Sequence, residues 1–109
     1  MSYSILSIPP FERQLKRLAK KYPSILSDLA SLAEDLETNP ELGIPLGQNC
    51  YKIRMAIISK GRGKSGGARV ITYLYFEADI IFLLAIYDKS EQESISDEVL
   101  KELLLHIDT

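Results

Sequence analysis

The chain has 109 residues, 46% of them hydrophobic, with 13 basic and 15 acidic side chains for a formal net charge of -2, which describes one globular domain over residues 1–109 and excludes a multidomain protein or a disordered tail. A single cysteine, Cys50, excludes an internal disulfide framework, and Cys50 with the single histidine, His106, falls short of the four ligands of a structural zinc site, so no metal and no cofactor is expected. The longest apolar run, Ile80 to Tyr87, is far below the roughly 20 residues that cross a bilayer, and no basic-then-apolar leader is present, so a reducing cytoplasm without a membrane partner is the expected address.

Tyr3 to Ser7 alternates as a short strand that Pro9-Pro10 ends while favouring a helix start. Phe11, Leu15 and Leu18 then mark one apolar stripe, with Arg13, Lys16, Arg17, Lys20 and Lys21 mostly opposite, and the helix stops before Pro23. Ser24 caps a second helix whose stripe runs through Ile25 or Leu26, Leu29, Leu32, Ala33 and Leu36 to Asn39-Pro40, giving an antiparallel helical hairpin. Pro40 to Gln48, with two Pro and two Gly, reads as a loop.

Strands follow. Cys50 to Ile58 alternates, with Ile53, Met55 and Ile57 on one face and Lys52 and Arg54 on the other. Ala68 to Phe76 is a second strand whose Arg69, Ile71, Tyr73 and Tyr75 share a face. The turn Glu77-Ala78-Asp79 leads to Ile80–Tyr87, apolar on both faces and therefore interior to the sheet. A last helix starts near Ser96, with Asp97 and Glu98 in its first turn and Val99, Leu103 and Leu104 on its apolar face. The expected fold class is α+β in the order β-α-α-β-β-β-α, with a helical hairpin covering one sheet face.

Gly61 to Gly66 spells G-x-G-x-x-G, and Gly63-Lys64-Ser65 resembles the end of a P-loop. Both nucleotide readings fail on context: the flanks are strands, with no helix N-terminus for the phosphates, and the position five before Gly63 is Ile58 rather than glycine. The charge pattern is more informative. Residues 42–76 carry Lys52, Arg54, Lys60, Arg62, Lys64 and Arg69 without one carboxylate, whereas residues 77–109 carry nine acidic and two basic side chains. Six cations gathered onto one side of one sheet make the footprint a polyanion requires, and Tyr73 and Tyr75 offer rings on which unpaired bases stack. No Ser-His-Asp, Cys-His or paired-carboxylate arrangement can be assembled, so cations, tyrosines and Asp88 remain as site chemistry.

Tyr51-Lys-Ile-Arg-Met, the run Lys60-Gly-Arg-Gly-Lys-Ser-Gly-Gly-Ala-Arg-Val-Ile and Ile86-Tyr-Asp-Lys-Ser-Glu resemble the RelE/ParE superfamily of bacterial toxins, nearest its HigB-like branch. The resemblance implies a helical hairpin on a small sheet with a C-terminal helix, a co-encoded antitoxin as partner, and cleavage of mRNA on the ribosome. It matches Lys52 and Arg54 to the first-strand basic pair of the family and Arg69 to the Arg of the next strand; Lys60, Arg62 and Lys64 then border the loop that approaches RNA, and Lys89 follows the last strand. Cleavage by the RNA's own 2′-OH needs a base, positive charge around the phosphorane and an acid for the leaving oxygen; the cations serve the second need, and Lys52 or Lys64, surrounded by other cations, is the candidate base. The best-studied pattern also carries an Arg and a Tyr after the last strand, at positions occupied here by Ser90 and Ser96, leaving Tyr87 as the candidate phenol. A ParE-like inhibitor of DNA gyrase and a non-catalytic RNA-binding toxin share the same expected fold.

Overall fold

The computed structural model describes residues 3–61 and 63–107. Five strands, β1 (Ser4–Ser7), β2 (Ile44–Gly47), β3 (Cys50–Met55), β4 (Ala68–Tyr75) and β5 (Ile80–Asp88), form one sheet in the order β1-β5-β4-β3-β2. Three helices, α1 (Pro9–Lys21), α2 (Ile25–Thr38) and α3 (Asp97–Leu104), pack on it. The pair β1 and β5 is parallel and the other pairings are antiparallel. Fold class and element order follow the sequence reading, with one added strand.

That strand, β2, lies within the segment expected to be loop. Its prolines and glycines are compatible with an edge position, since Pro45 removes a donor that an edge can spare. Gln48 and Asn49, both with positive φ, turn the chain directly into β3. The strand expected to reach Ile58 ends at Met55. Side chains at the head of α2 draw off the amides a few residues on: Ile58 N donates to Asp28 Oδ2 at 3.2 Å and Ser59 N to Ser24 Oγ at 2.8 Å. The chain there forms a 3-10 turn, Ile58–Lys60, closed by Gly61 in the left-handed region.

Pro9 and Pro10 open α1, whose Phe11 and Leu18 are buried, and α1 packs chiefly along β5. Ser24 stands at the head of α2 as expected, but its hydroxyl donates to Asp28 Oδ2 at 2.7 Å instead of capping the backbone. Of the two alternatives for the stripe, Ile25 is buried and Leu26 exposed. β5 lies inside the sheet between β1 and β4, and its Ile81, Leu84 and Ile86 are completely buried. Opposite it, the β4 register skips one residue of β5 between Ile71 and Thr72, a bulge that leaves Leu84 unpaired. Ser96 caps α3 by accepting from Val99 N at 3.2 Å, and Leu100 and Leu103 face inward.

Candidate functional site

Register aligns Arg54 with Arg69 and Arg69 with Tyr87, so these three stand in one row across β3, β4 and β5, and Lys52 shares the face of Arg54. Two arginines in directly opposed positions repel. The conflict is resolved by turning Arg69 away: its Nη1 donates to Lys64 O at 3.0 Å and Ala68 O at 3.1 Å, and its Nη2 to Ser65 O at 3.0 Å. Arg69 is thus buried as a fastener for the glycine-rich stretch. Arg54 remains exposed.

Lys52, Arg54 and Lys64 line a single groove of about 580 Å³ that runs along β3. Its other wall comes from α2, with Asp28 and Asp35, and its floor is apolar, with Leu32, Ile53 and Met55. Asp28 is buried and already accepts from Ser24 and Ile58, so of the two carboxylates that line the groove beside three cations only Asp35 is exposed. The two acids were not foreseen as groove residues. For Asp28 a signal existed: it falls on the buried face of α2 between Ile25 and Leu32, where a carboxylate is out of place unless it has work to do.

The expected convergence of six cations onto one side of the sheet is therefore not what the fold builds. Lys60 Nζ bonds Asp88 Oδ1 at 2.7 Å and reaches Gly66 O at 3.1 Å, an internal ion pair in which Asp88 is fully buried. Burial pushes the Asp88 carboxyl up, but hydrogen bonds from Lys60, Tyr22 and Ser90 outweigh it and hold the group well below the ordinary carboxylate value. Arg62 lies outside the described residues. Lys89 is exposed at the end of β5, where its amide donates to Gly67 O at 3.0 Å.

Tyr73 and Tyr75 lie toward the far end of β4 from Arg69, half-buried. Tyr73 stacks with Tyr75 and Phe82 at 6.4 and 6.2 Å and borders a small cavity with Leu104 and Ile107 from the C-terminal segment. Tyr87 is 2% exposed, and among the described residues its hydroxyl has no hydrogen-bond partner. Burial raises its pKa against the opposing pull of Arg69, which keeps it a phenol and a proton donor. Ser90 and Ser96 both have structural tasks, Ser90 bonding Asp88 and Ser96 capping α3.

A family model described as the RelE toxin of the RelE/RelB toxin-antitoxin system matches residues 11–106. The chain belongs to the RelE toxin family. RelE structures share its fold. An E. coli RelE mutant in the free state is 21% identical with a TM-score of 0.63, the alignment covering 98% of this chain and 99% of that one. The Mycobacterium tuberculosis RelBE2 toxin-antitoxin complex gives 22% identity and 0.61 over 81% and 99%. An E. coli RelE mutant in complex with a peptide of the antitoxin RelB gives 20% and 0.58 over 94% of each chain.

Proposed function

We propose that this RelE-family toxin is a ribosome-dependent mRNA endonuclease of the HigB-like branch, and that the groove along β3 receives the RNA backbone. The observation that carries the reading is the placement of Lys52, Arg54 and Lys64, drawn from two separate stretches of chain, around one groove. In the reaction the 2′-oxygen attacks phosphorus as its proton passes to a base, the bond from phosphorus to the 5′-oxygen breaks, and that oxygen takes up a proton. Negative charge grows on the phosphoryl oxygens between these events, and fixed cations stabilise it where it forms. Lys52 or Lys64 is the base; Arg54 holds the phosphate, with Arg69 behind it. Tyr87, opposite Arg69 on β5, is the donor to the leaving oxygen, and its buried hydroxyl must become accessible when RNA binds. Arg62 and Lys89 are assigned to RNA binding beside this centre; Lys60, held by Asp88, and Tyr73 and Tyr75, at the far end of β4, fall outside it. The resemblance behind this reading is carried most specifically by the run Gly63 to Arg69 followed by Tyr87-Asp88-Lys89.

An antitoxin partner fits the same surface. Acidic and apolar side chains laid over Lys52, Arg54 and Lys64 would match both the cations and the apolar floor of the groove.

The test is brief induction without antitoxin, with new mRNA 5′ ends and DNA supercoiling measured in parallel. Ribosome-dependent cuts within codons are the expected result, and Arg54→Ala should lower the cleavage rate by about 10²-fold or more. Intact mRNA with inhibited gyrase would replace this reading by the ParE-like one, which accords with serines at positions 90 and 96 where the best-studied pattern carries Arg and Tyr. Full cleavage by Lys52→Ala or Tyr87→Phe would remove that residue from the mechanism.

A further inference from the structure

The Lys60–Asp88 pair takes no part in the groove, yet it is a heavily bonded polar cluster. Lys60 precedes the glycine-rich stretch, and its ammonium reaches across to Gly66 O at the other end while holding Asp88. Asp88 is fixed in turn from two other places: the Tyr22 hydroxyl at the end of α1, and Ser90 through both its amide at 2.9 Å and its hydroxyl at 2.8 Å. The amide of Lys89 closes on Gly67 O beside them. One ammonium thus ties both ends of the stretch to the sheet and to α1. A segment with this many glycines has no conformational preference of its own, so its geometry comes from what holds its ends. A buried ion pair adds little net stability compared with apolar residues of the same volume, so stability alone is a weak reason for it.

We propose that Asp88 is a positioning residue: through Lys60 it clamps the neck of the glycine-rich stretch and so fixes where Lys64 stands on the groove wall. The clamp is a property of the fold, while its effect on cleavage rests on the nuclease reading above. Arg69 acts on the crown of the same stretch, at Lys64 O and Ser65 O, so the clamp at the neck and the fastener at the crown set the loop between them.

The test uses the full chain as the parent, Asp88→Asn, the charge-free pair Lys60→Met with Asp88→Asn, and Lys60→Arg. Native trypsin cutting after Lys64, thermal unfolding and ribosome-dependent cleavage are followed for each. The charge-free pair should melt close to the parent. Its Lys64 bond should nonetheless be cut about tenfold faster, because the loop opens locally while the sheet does not. Its saturated cleavage rate should fall about tenfold, but adding it to Lys64→Ala should cost less than about threefold more, because both changes act through one residue. Lys60→Arg should restore most of the loss. Tyr22→Phe, which removes one bond from Asp88 and leaves the pair, should shift trypsin cutting the same way by a smaller factor, so the proposal stays refutable if the charge-free pair folds poorly. Unchanged trypsin cutting in every variant, or a rate loss that multiplies fully with Lys64→Ala, overturns the clamp. If the parent itself cuts no mRNA, the nuclease reading fails, and the trypsin result still decides the clamp.

Discussion

Replacing Gly67 by alanine should do far more damage than the same change at Gly63, although both belong to one glycine-rich run. A Cβ on Gly67 would lie 2.2 Å from the Met55 carbonyl oxygen, 3.0 Å from Ile57 N and 3.1 Å from Ala56 Cα, all of them backbone atoms. The first distance is more than an ångström inside ordinary contact, and no side chain can rotate aside, so β3 and β4 must separate where Met55 pairs with Ala68. Overpacking costs typically 1–3 kcal/mol, and a backbone collision sits at or above the upper end, about 3 kcal/mol. In a domain of this size that lowers Tm by roughly 10 °C or more. At Gly63 nothing lies within 4 Å and φ is -72°, which alanine adopts freely. Gly63→Ala should therefore leave Tm unchanged or raise it slightly, by the equivalent of about 0.4–1 kcal/mol from the restricted unfolded chain. Thermal unfolding of the two variants side by side checks the argument. Equal losses, or a Gly67→Ala protein as stable as the parent, would refute the claim that close strand approach explains this glycine.

Because the folded state favours the Asp88 carboxylate, the stability it contributes is complete above the ordinary value of 3.8 and is lost as pH falls toward the depressed folded value. The unfolding free energy of the parent should drop from about pH 5 downward more steeply than that of Asp88→Asn, measured by urea titration at a series of pH values. Cys50 is 1% exposed and burial pushes its thiol up to about 11, so a chromogenic disulfide reagent at about pH 8 should label the native protein at least 10²-fold more slowly than the unfolded chain.

Most elements were legible because their signals are local and repeated. The alternation in Cys50 to Met55 and Ala68 to Tyr75, the spacing of Phe11, Leu15 and Leu18, and the Ser96 cap each depend on a few neighbouring residues. β2 was not legible, since Pro45 and two glycines read as loop until an adjacent strand makes an edge of them. Lys52 and Arg54 were legible as a pair sharing a face. Lys60 and Arg69 were not separable from them by sequence, because their fates are set by acceptors that arrive from elsewhere: a carboxylate 28 residues on for Lys60, and main-chain carbonyls of a folded turn for Arg69. A cation's residue type announces its charge, whereas its availability depends on which acceptors the fold brings near.

The unpaired Leu84 in β5 has a further effect on how charge is sorted. With uninterrupted pairing from Tyr73 and Phe82 onward, Arg69 would lie opposite Ile86, and Asp88 would emerge on the arginine side of the sheet. The acid would then be free to neutralise Arg54 or Arg69, and Lys60 would be left underneath without its counter-ion. One surplus leucine thus acts as a phase shifter, sending the carboxylate inward and leaving the anion-seeking surface uncancelled.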